Sequence, residues 1–430
     1  MIRRTILEWE SILYGAGEGA ISQAAADRIA AVAAASPLAG RGGGGVLEHG
    51  RKALRARGVV GVIAAEGCAL EILPKIDLPG EMDTTARNGG IRKRLIHMLA
   101  VALNMRIEAG DITDHDYQRE TLLEILIRLF STKLVDAIRQ GMPRRYVACA
   151  DDLPLLRGRL DVARQFTKFA ASPQKLACRY DALTEEIELN RIMKAAVVRL
   201  SGVARSPDNR RMLRELAFAY AEVSDVPIAL LRWDTVAIDR TNARWQQLLN
   251  LAKLLLGERF QTTSSGTVSG FSLLFEMSAL FEEYVARMLS HALAGTGRQV
   301  VAQGGRLYCL ETCEGAKLFQ TKPDILVKRD GVVEQVIDTK WKRISQRTED
   351  PKQGVAQADV YQMMAYGQLY QCPRLILLYP HHKALGDWAM KVVHRIAIKN
   401  RNDRLQLVTI SISTNKGTAP PRRLAWVEAS

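Results

Sequence analysis

"TKPDILVKRDGVVEQVIDTKWKR", residues 321–343, carries two valine- and isoleucine-rich runs on either side of Asp330-Gly331. An Asp-Gly pair between such runs is a strong signal for a β-hairpin. The runs contain Ile325, Leu326, Val327, Val332, Val333, Val336 and Ile337, yet they keep Asp324, Asp338 and Lys340 where a strand would favour apolar side chains. Two registers compete. A three-residue loop pairs Arg329 with Val333 and sets Asp324 opposite Asp338, with both side chains on one face. A two-residue loop sets Asp324 opposite Ile337 and separates the acids. Strand side chains alternate, so Lys340 shares the face of Asp338 in either case. The charges make chemical sense only in the first register, and a three-residue loop is the expectation.

Two facing carboxylates repel, and burying them beside apolar strands is costly unless something pairs them. A divalent cation does so, and hard oxygen ligands suit Mg²⁺ or Mn²⁺. Such an ion lowers the pKa of a bound water and stabilises charge building on a phosphodiester. Lys340 beside it would orient or help deprotonate the attacking water. Asp324, Asp338 and Lys340 are therefore the candidate catalytic residues of a phosphodiester-hydrolysing site. The plainer reading is a surface hairpin with three solvated charges.

The totals fit that chemistry. The chain has 430 residues, enough for two or three domains, and 47% hydrophobic with 25% charged residues is an ordinary globular composition. Lys and Arg number 60 against 46 Asp and Glu, a net charge of +14 that suits a polyanion such as nucleic acid. No apolar run approaches the roughly 18 residues of a membrane span. The start, "MIRRTILEWESILYG", meets Glu8 and Glu10 too soon for a signal peptide, so a cytoplasmic location is expected. Cys309 and Cys313 are the only close pair of cysteines and lack a second pair for a zinc site. His381 and His382 read as a loop after "PRLILLYP". The glycines at 42–45 lack the Lys and hydroxyl of a nucleotide-binding phosphate loop, and that pattern is found nowhere in the chain.

The fold class expected is a multidomain α/β protein. Residues 1–90 read as a small β-containing domain with one helix over "ISQAAADRIAAVAAA" and a hairpin at 59–64 and 69–76. Residues 91–260 read as mostly helical, and "QTTSSGTVSGFS" (261–272) as a linker. From 265 to 430, one helix over "LLFEMSALFEEYVARMLSHAL" precedes strands at 298–302, 305–310, 323–328, 332–338 and 374–379, with a helix between the last two. The end, "GTAPPRRLAWVEAS", reads as a tail.

"KPDI" with "VIDTKWK" resembles the centre of the PD-(D/E)xK nuclease superfamily and, within it, the McrC family. "DVYQMMAY" is similar to the helix that carries a Q-x3-Y element, here Gln362 and Tyr366, and "EMSALFEEYV" to the helix that gives a further acid to the metal site. Glu282 is the better match for that acid and Glu283 the alternative. "VGVIAAEGCALEILPKI", "LRGRLD", "CRYDALTEEIELNRIMKAA" and "AIDRTNARWQQLLNLAKLLL" extend the resemblance over roughly 55 to 380. The second acid is Asp338 where the superfamily often has Glu; either ligates a hard cation.

The resemblance implies a PD-(D/E)xK restriction-endonuclease-like domain at the C-terminal end, with Asp324, Asp338 and Glu282 at Mg²⁺ (or Mn²⁺). It implies Mg²⁺-dependent cleavage of double-stranded DNA as the endonuclease subunit of a McrBC-like restriction system. The implied partner is an oligomeric AAA+ GTPase of McrB type, bound through residues 1–90 and the middle region. Arg157 and Arg159 in "LRGRLD" are candidates for stimulating that GTPase; alternatively they position a loop or pair with Asp161. Gln362 would bind the DNA backbone or a metal-bound water, and Lys342 either contacts phosphate or ends the strand in solvent. Two other readings stay open, a stand-alone repair or recombination nuclease of the superfamily and a non-catalytic activator of a partner NTPase.

Overall fold

The computed structural model describes residues 2–17, 19–40, 45–78, 83–105, 107, 112–169, 174–240, 242–257, 270–344, 354–382, 385, 390–395, 404–410 and 412. Residues 42–44 of the glycine run, 261–269 of the expected linker and the tail at 417–430 lie outside them. Among the described residues, no helix is long and apolar enough to cross a membrane. By its contacts the chain forms two compact units, Met1–Ile125 with Gly257–Ser430, and Leu126–Leu256. The segments read from sequence as 1–90 and 265–430 thus fall in one unit.

In the first unit, Val59–Ala65 and Cys68–Leu73 form the expected hairpin around Glu66-Gly67. Ile2–Leu7 joins Cys68–Leu73 in parallel, and Gly270–Glu276 joins Val59–Ala65 antiparallel, closing a four-stranded sheet. The run at 273–276 is therefore strand, and the helix read over it begins only at Met277, ending at Ala292. An uninterrupted apolar run satisfies either element, and the partner strand decides. Gly61 is required there: its φ is +135°, and a Cβ would stand 1.9 Å from the Leu273 carbonyl oxygen. The helix Gln23–Ala34, capped by Ser22, buries Ala25, Ala26, Ile29, Val32 and Ala33 against this sheet.

Glu71, 2% exposed, ties the sheet to the helix Thr84–Ala102. The Arg92 guanidinium donates to both of its oxygens, at 3.0 and 2.6 Å, and the Leu122 backbone N–H donates to Oε1 at 2.8 Å. The charge is buried but fully satisfied, as a buried carboxylate must be.

The C-terminal part of this unit is a six-stranded mixed sheet in the order Arg298–Ala302, Ile325–Arg329, Val332–Thr339, Arg374–Pro380, Arg404–Ile410, Met390–Arg395. Val332–Thr339 and Arg374–Pro380 are parallel, with the helix Gln357–Leu369 as their crossover. That helix packs Met363 and Tyr366 onto Leu326, Val336, Leu375 and Leu377.

The hairpin of the opening stretch differs from expectation at its tip. Arg329 pairs with Val332, leaving a two-residue loop in which Asp330 (φ 51°) and Gly331 (φ 83°) both take positive φ, as a type I′ turn demands. The three-residue loop is thus corrected. A bulge then intervenes: Lys328 faces Val333, but Val327 faces Gln335, so Glu334 has no opposite number. Beyond it the ladder runs Leu326 with Val336 and Ile325 with Ile337, and its next step sets Asp324 against Asp338. The acids face each other as expected, through a bulge rather than a longer loop. Arg298 and Arg329 hold the Glu334 carboxylate at 2.8 and 3.1 Å.

The second unit contains the expected helices, among them Glu188–Val203, Pro207–Ala219 and Trp245–Leu256. It also has a three-stranded sheet in which Arg145–Leu153 and Leu176–Thr184 pair along nine residues, with Arg159–Leu160 at the edge. This sheet has no counterpart in the mostly helical reading. Most of Arg145–Leu153 is exposed, so the strand lacks the alternation that betrays a half-buried one.

Candidate active site

Asp338 leaves the strand Val332–Thr339 near its C-terminal end and is 1% exposed. In open α/β sheets, sites gather at the carboxyl ends of strands. Burial, then the charge of Asp324, push the Asp338 carboxyl up to about 6. Asp324 is held just before the facing strand: its Oδ2 accepts from the Thr339 backbone N–H at 2.7 Å and the Thr339 hydroxyl at 2.9 Å.

Lys340 follows on the same face, its Nζ 2.5 Å from Asp338 Oδ2. Its backbone N–H donates to the Leu378 carbonyl on the neighbouring strand, which fixes the strand end. Burial pulls the Lys340 pKa down, but the Asp338 hydrogen bond and the charges of Asp338, Asp359 and Asp324 outweigh it, so the net shift is upward. The side chain is a cation in this setting, suited to orienting water and stabilising negative charge more than to accepting a proton.

The helix Gln357–Leu369 lays its polar side over the lysine. Gln362 accepts from Lys340 Nζ at 3.4 Å through Oε1, and donates through Nε2 to the Tyr366 hydroxyl at 2.8 Å. Asp359, 8% exposed in the first turn, lies 3.8 Å from Lys340 Nζ and 3.3 Å from Lys342 Nζ. Lys342 is therefore paired, and Asp359 is a member of the site that the sequence reading passed over although it stands within the quoted "DVYQMMAY".

From the other side, the helix Met277–Ala292 supplies Glu282. Its carboxyl is pushed up to about 7 by burial first and by the charge of Asp324 second, while a hydrogen bond from Gln303 pulls it back. The Gln303 backbone N–H also donates to the Asp324 carbonyl at 2.7 Å, so one residue braces both acids. Glu283, the alternative, pairs with Arg287 at 3.0 Å on its own helix.

The donor set, in which burial and the charge of Asp324 push both Glu282 and Asp338 upward, has the chemistry that a hard divalent cation relieves. Among the described residues no three acidic or metal-binding side chains yet converge as a finished cage. Asp338 Oδ2 pairs with Lys340, and Asp324 Oδ2 accepts from Thr339.

The remaining candidates lie elsewhere. The Arg157 guanidinium is exposed and stacks 4.1 Å over the Tyr180 ring, and Arg159 is exposed on its short edge strand. Asp161 pairs with Arg179 and caps the helix Val162–Lys168 through the Arg164 N–H, which accounts for it without either arginine. Cys309 and Cys313 are exposed on the strand Tyr308–Glu311 and just after it. His382 is buried against the Ile344 carbonyl, and His381 meets the Thr409 hydroxyl.

Comparison with known proteins adds an independent line. The family model described as McrBC 5-methylcytosine restriction system component matches residues 54–380. The fold is similar to that of a chain in a tetradecameric assembly of Thermococcus gammatolerans McrB AAA+ hexamers with bound McrC. There the TM-score is 0.68 at 22% identity, over 95% of this chain and 94% of that one. A chain of the cryo-EM structure of the Thermococcus gammatolerans McrBC complex aligns with a TM-score of 0.53 at 25% identity, over 68% of this chain and 88% of that one. No curated protein matches.

Proposed function

Because the chain belongs to the McrBC 5-methylcytosine restriction system component family, we propose that it is the system's endonuclease subunit, cutting DNA in a Mg²⁺- or Mn²⁺-dependent reaction. The observation that carries the reading is the facing of Asp324 and Asp338 at the end of the sheet, with Lys340 on the same edge. This arrangement fits a PD-(D/E)xK domain. Asp324, Asp338 and Glu282 would hold the cation, which when bound supplies a low-pKa water and a Lewis acid for the phosphodiester.

The chain's own residues divide the remaining work. Lys340, kept protonated by its acidic neighbours, donates a hydrogen bond to the attacking water or to the charge gathering on phosphorus. Gln362, held by Tyr366, fixes the lysine on its free side. Asp359 restrains Lys342, leaving that side chain at the rim where a DNA phosphate would pass. The surplus of +14 supports binding of the polyanion, and a cytoplasmic setting goes with the reading.

The partner is an AAA+ GTPase of McrB type, assembled as a ring, which recognises the modified DNA. That two solved assemblies similar to this chain combine McrB with McrC supports this pairing. The exposed Arg157 and Arg159 are the residues offered to its nucleotide.

The test is plasmid cleavage with Mg²⁺, comparing wild type with Asp338→Ala, each with and without the AAA+ partner and nucleotide. Cutting that needs the partner and is lost by at least about 100-fold in the variant is expected. Cutting by Asp338→Ala at the wild-type rate would remove the assignment. Robust cutting by wild type alone would point instead to a stand-alone nuclease.

A further inference from the structure

Trp341 lies between Lys340 and Lys342, just past the end of the strand Val332–Thr339, where the Lys342 backbone N–H donates to the Lys340 carbonyl at 2.9 Å. Behind the site its indole N–H donates to Glu8 Oε1 at 2.8 Å. Its ring meets Phe281 edge-on, centroids 5.3 Å apart at 61°. Phe281 immediately precedes Glu282 on the helix Met277–Ala292. One side chain therefore touches the element that carries Glu282 while sitting one residue from Lys340.

Glu8 belongs to the opposite end of the chain. It follows the strand Ile2–Leu7 and is 2% exposed. Its backbone N–H donates to the Leu73 carbonyl at 2.8 Å, and its Oε1 also accepts from the Lys75 N–H at 2.9 Å. A second tie runs beside it, from the Arg343 guanidinium to the Asp77 carboxylate. A carboxyl buried this deeply costs stability that only its hydrogen bonds offset; Oε2 has no hydrogen-bond partner among the described residues, and burial holds the pKa up. The bonds it makes join the N-terminal sheet to the residue next to the catalytic lysine.

We propose that Glu8 and Trp341 are positioning residues for the cleavage reaction, fixing from behind the spacing between the strand of Asp338 and Lys340 and the helix of Glu282. This rests on the nuclease reading of those three residues. It makes the N-terminal sheet part of the active centre's framework. Neither residue touches the reacting atoms. Both act through the backbone of Lys340 and the helix of Glu282, where a misplacement of about 1 Å costs roughly 100-fold in rate.

The experiment uses the full chain with its AAA+ partner, supercoiled plasmid and Mn²⁺, and compares Trp341→Phe, Glu8→Leu, Glu8→Gln and Asp338→Ala. Cleavage kinetics are read together with Mn²⁺ titration calorimetry on the chain alone and with thermal melts. Trp341→Phe keeps an aromatic ring beside Phe281 and removes the N–H donor together with the second ring of the indole, so the Glu8→Gln and Glu8→Leu pair isolates the hydrogen bond. Trp341→Phe and Glu8→Leu should lower kcat by about 10–100-fold and weaken Mn²⁺ binding, with KM for DNA within about twofold. Glu8→Gln, which retains the Oε1 acceptor, should restore both to within about threefold of wild type. Wild-type kcat and Mn²⁺ affinity in Trp341→Phe would overturn the proposal, as would Glu8→Gln failing as badly as Glu8→Leu. If Glu8→Leu does not fold, Trp341→Phe decides. Asp338→Ala separates the two failures. A dead Asp338→Ala beside an active Trp341→Phe refutes only the positioning role, whereas an active Asp338→Ala refutes the nuclease reading as well.

Discussion

Glu282 and Asp338 carry carboxyls displaced upward to about 7 and about 6, each by burial and then by Asp324. Ionising either group is therefore harder in the folded chain than in the unfolded one. For Glu282 the ordinary value is 4.5, so in the absence of a divalent cation its contribution destabilises progressively from about pH 4.5 to about pH 7 and is constant above. In EDTA, the melting temperature of wild type relative to Glu282→Gln should accordingly fall across that window. Added Mn²⁺ should flatten the trend by replacing protons with a cation. A difference that stays constant or rises with pH in circular dichroism melts would show that Glu282 ionises unhindered and is not crowded by the other acids. Asp324, Asp338 and Lys340 were legible in the sequence because charged residues interrupt apolar strands at one alternating phase. Asp359 was not, since an acid in a helix's first turn is ordinary, and Gln303 acts partly through its backbone, which leaves no trace in residue type.

The hairpin shows what an element adds to its residues. Glu334 reads as an ordinary polar position between Val333 and Gln335, yet it is the extra residue that changes the pairing phase. Deleting it would only straighten the ladder, with Val327 still opposite Gln335 and Asp324 still opposite Asp338. Inserting one residue after it would demand a further bulge or slip the pairing by one and turn Asp324 away from Asp338, because a one-residue slip turns every side chain to the other face. Insertion of an alanine after Glu334 should abolish cleavage, whereas Glu334→Ala keeps the residue count and loses only part-exposed ion pairs worth about 0–1 kcal/mol each. Cleavage rates on both variants, with far-UV circular dichroism to confirm the sheet, would settle the matter. Equal loss in the two would mean that the arginine contacts, not the phase, matter. The composition of the tip dictated a turn, and the charges dictated the facing of the acids; only the path between them, a bulge in place of a longer loop, escaped the sequence. The strand Gly270–Glu276 escaped for a different reason. "GFSLLFE" is apolar enough for strand or helix, and its partner lies some 200 residues earlier.

At the scale of the molecule, the family match at 54–380 leaves out the first 53 residues, although Glu8 and the strand Ile2–Leu7 contribute to the same unit as the nuclease sheet. A fragment of residues 265–430, the nuclease segment as the sequence suggested it, would strip Gly270–Glu276 of its partner and Trp341 of its acceptor. It should be insoluble or melt well below the full chain, measured by expression and calorimetry side by side. A fragment as stable and as active as the whole would show that the N-terminal sheet is dispensable. The resemblance to a nuclease was readable from short motifs because chemistry concentrates them. The interweaving of the two ends was not, because it is written in pairings rather than in residue types.

That interweaving sets a clock on biosynthesis. Val59–Ala65 emerges from the ribosome about 200 residues before Gly270–Glu276, the strand that covers its edge. At roughly 5–20 residues per second, that edge waits about 10–40 s without its partner. The nascent chain must therefore survive with an incomplete sheet while its entire second unit is being made. Faster translation of the interval, or a holdase that shields Val59–Ala65, would raise the yield of folded protein without altering a single native contact.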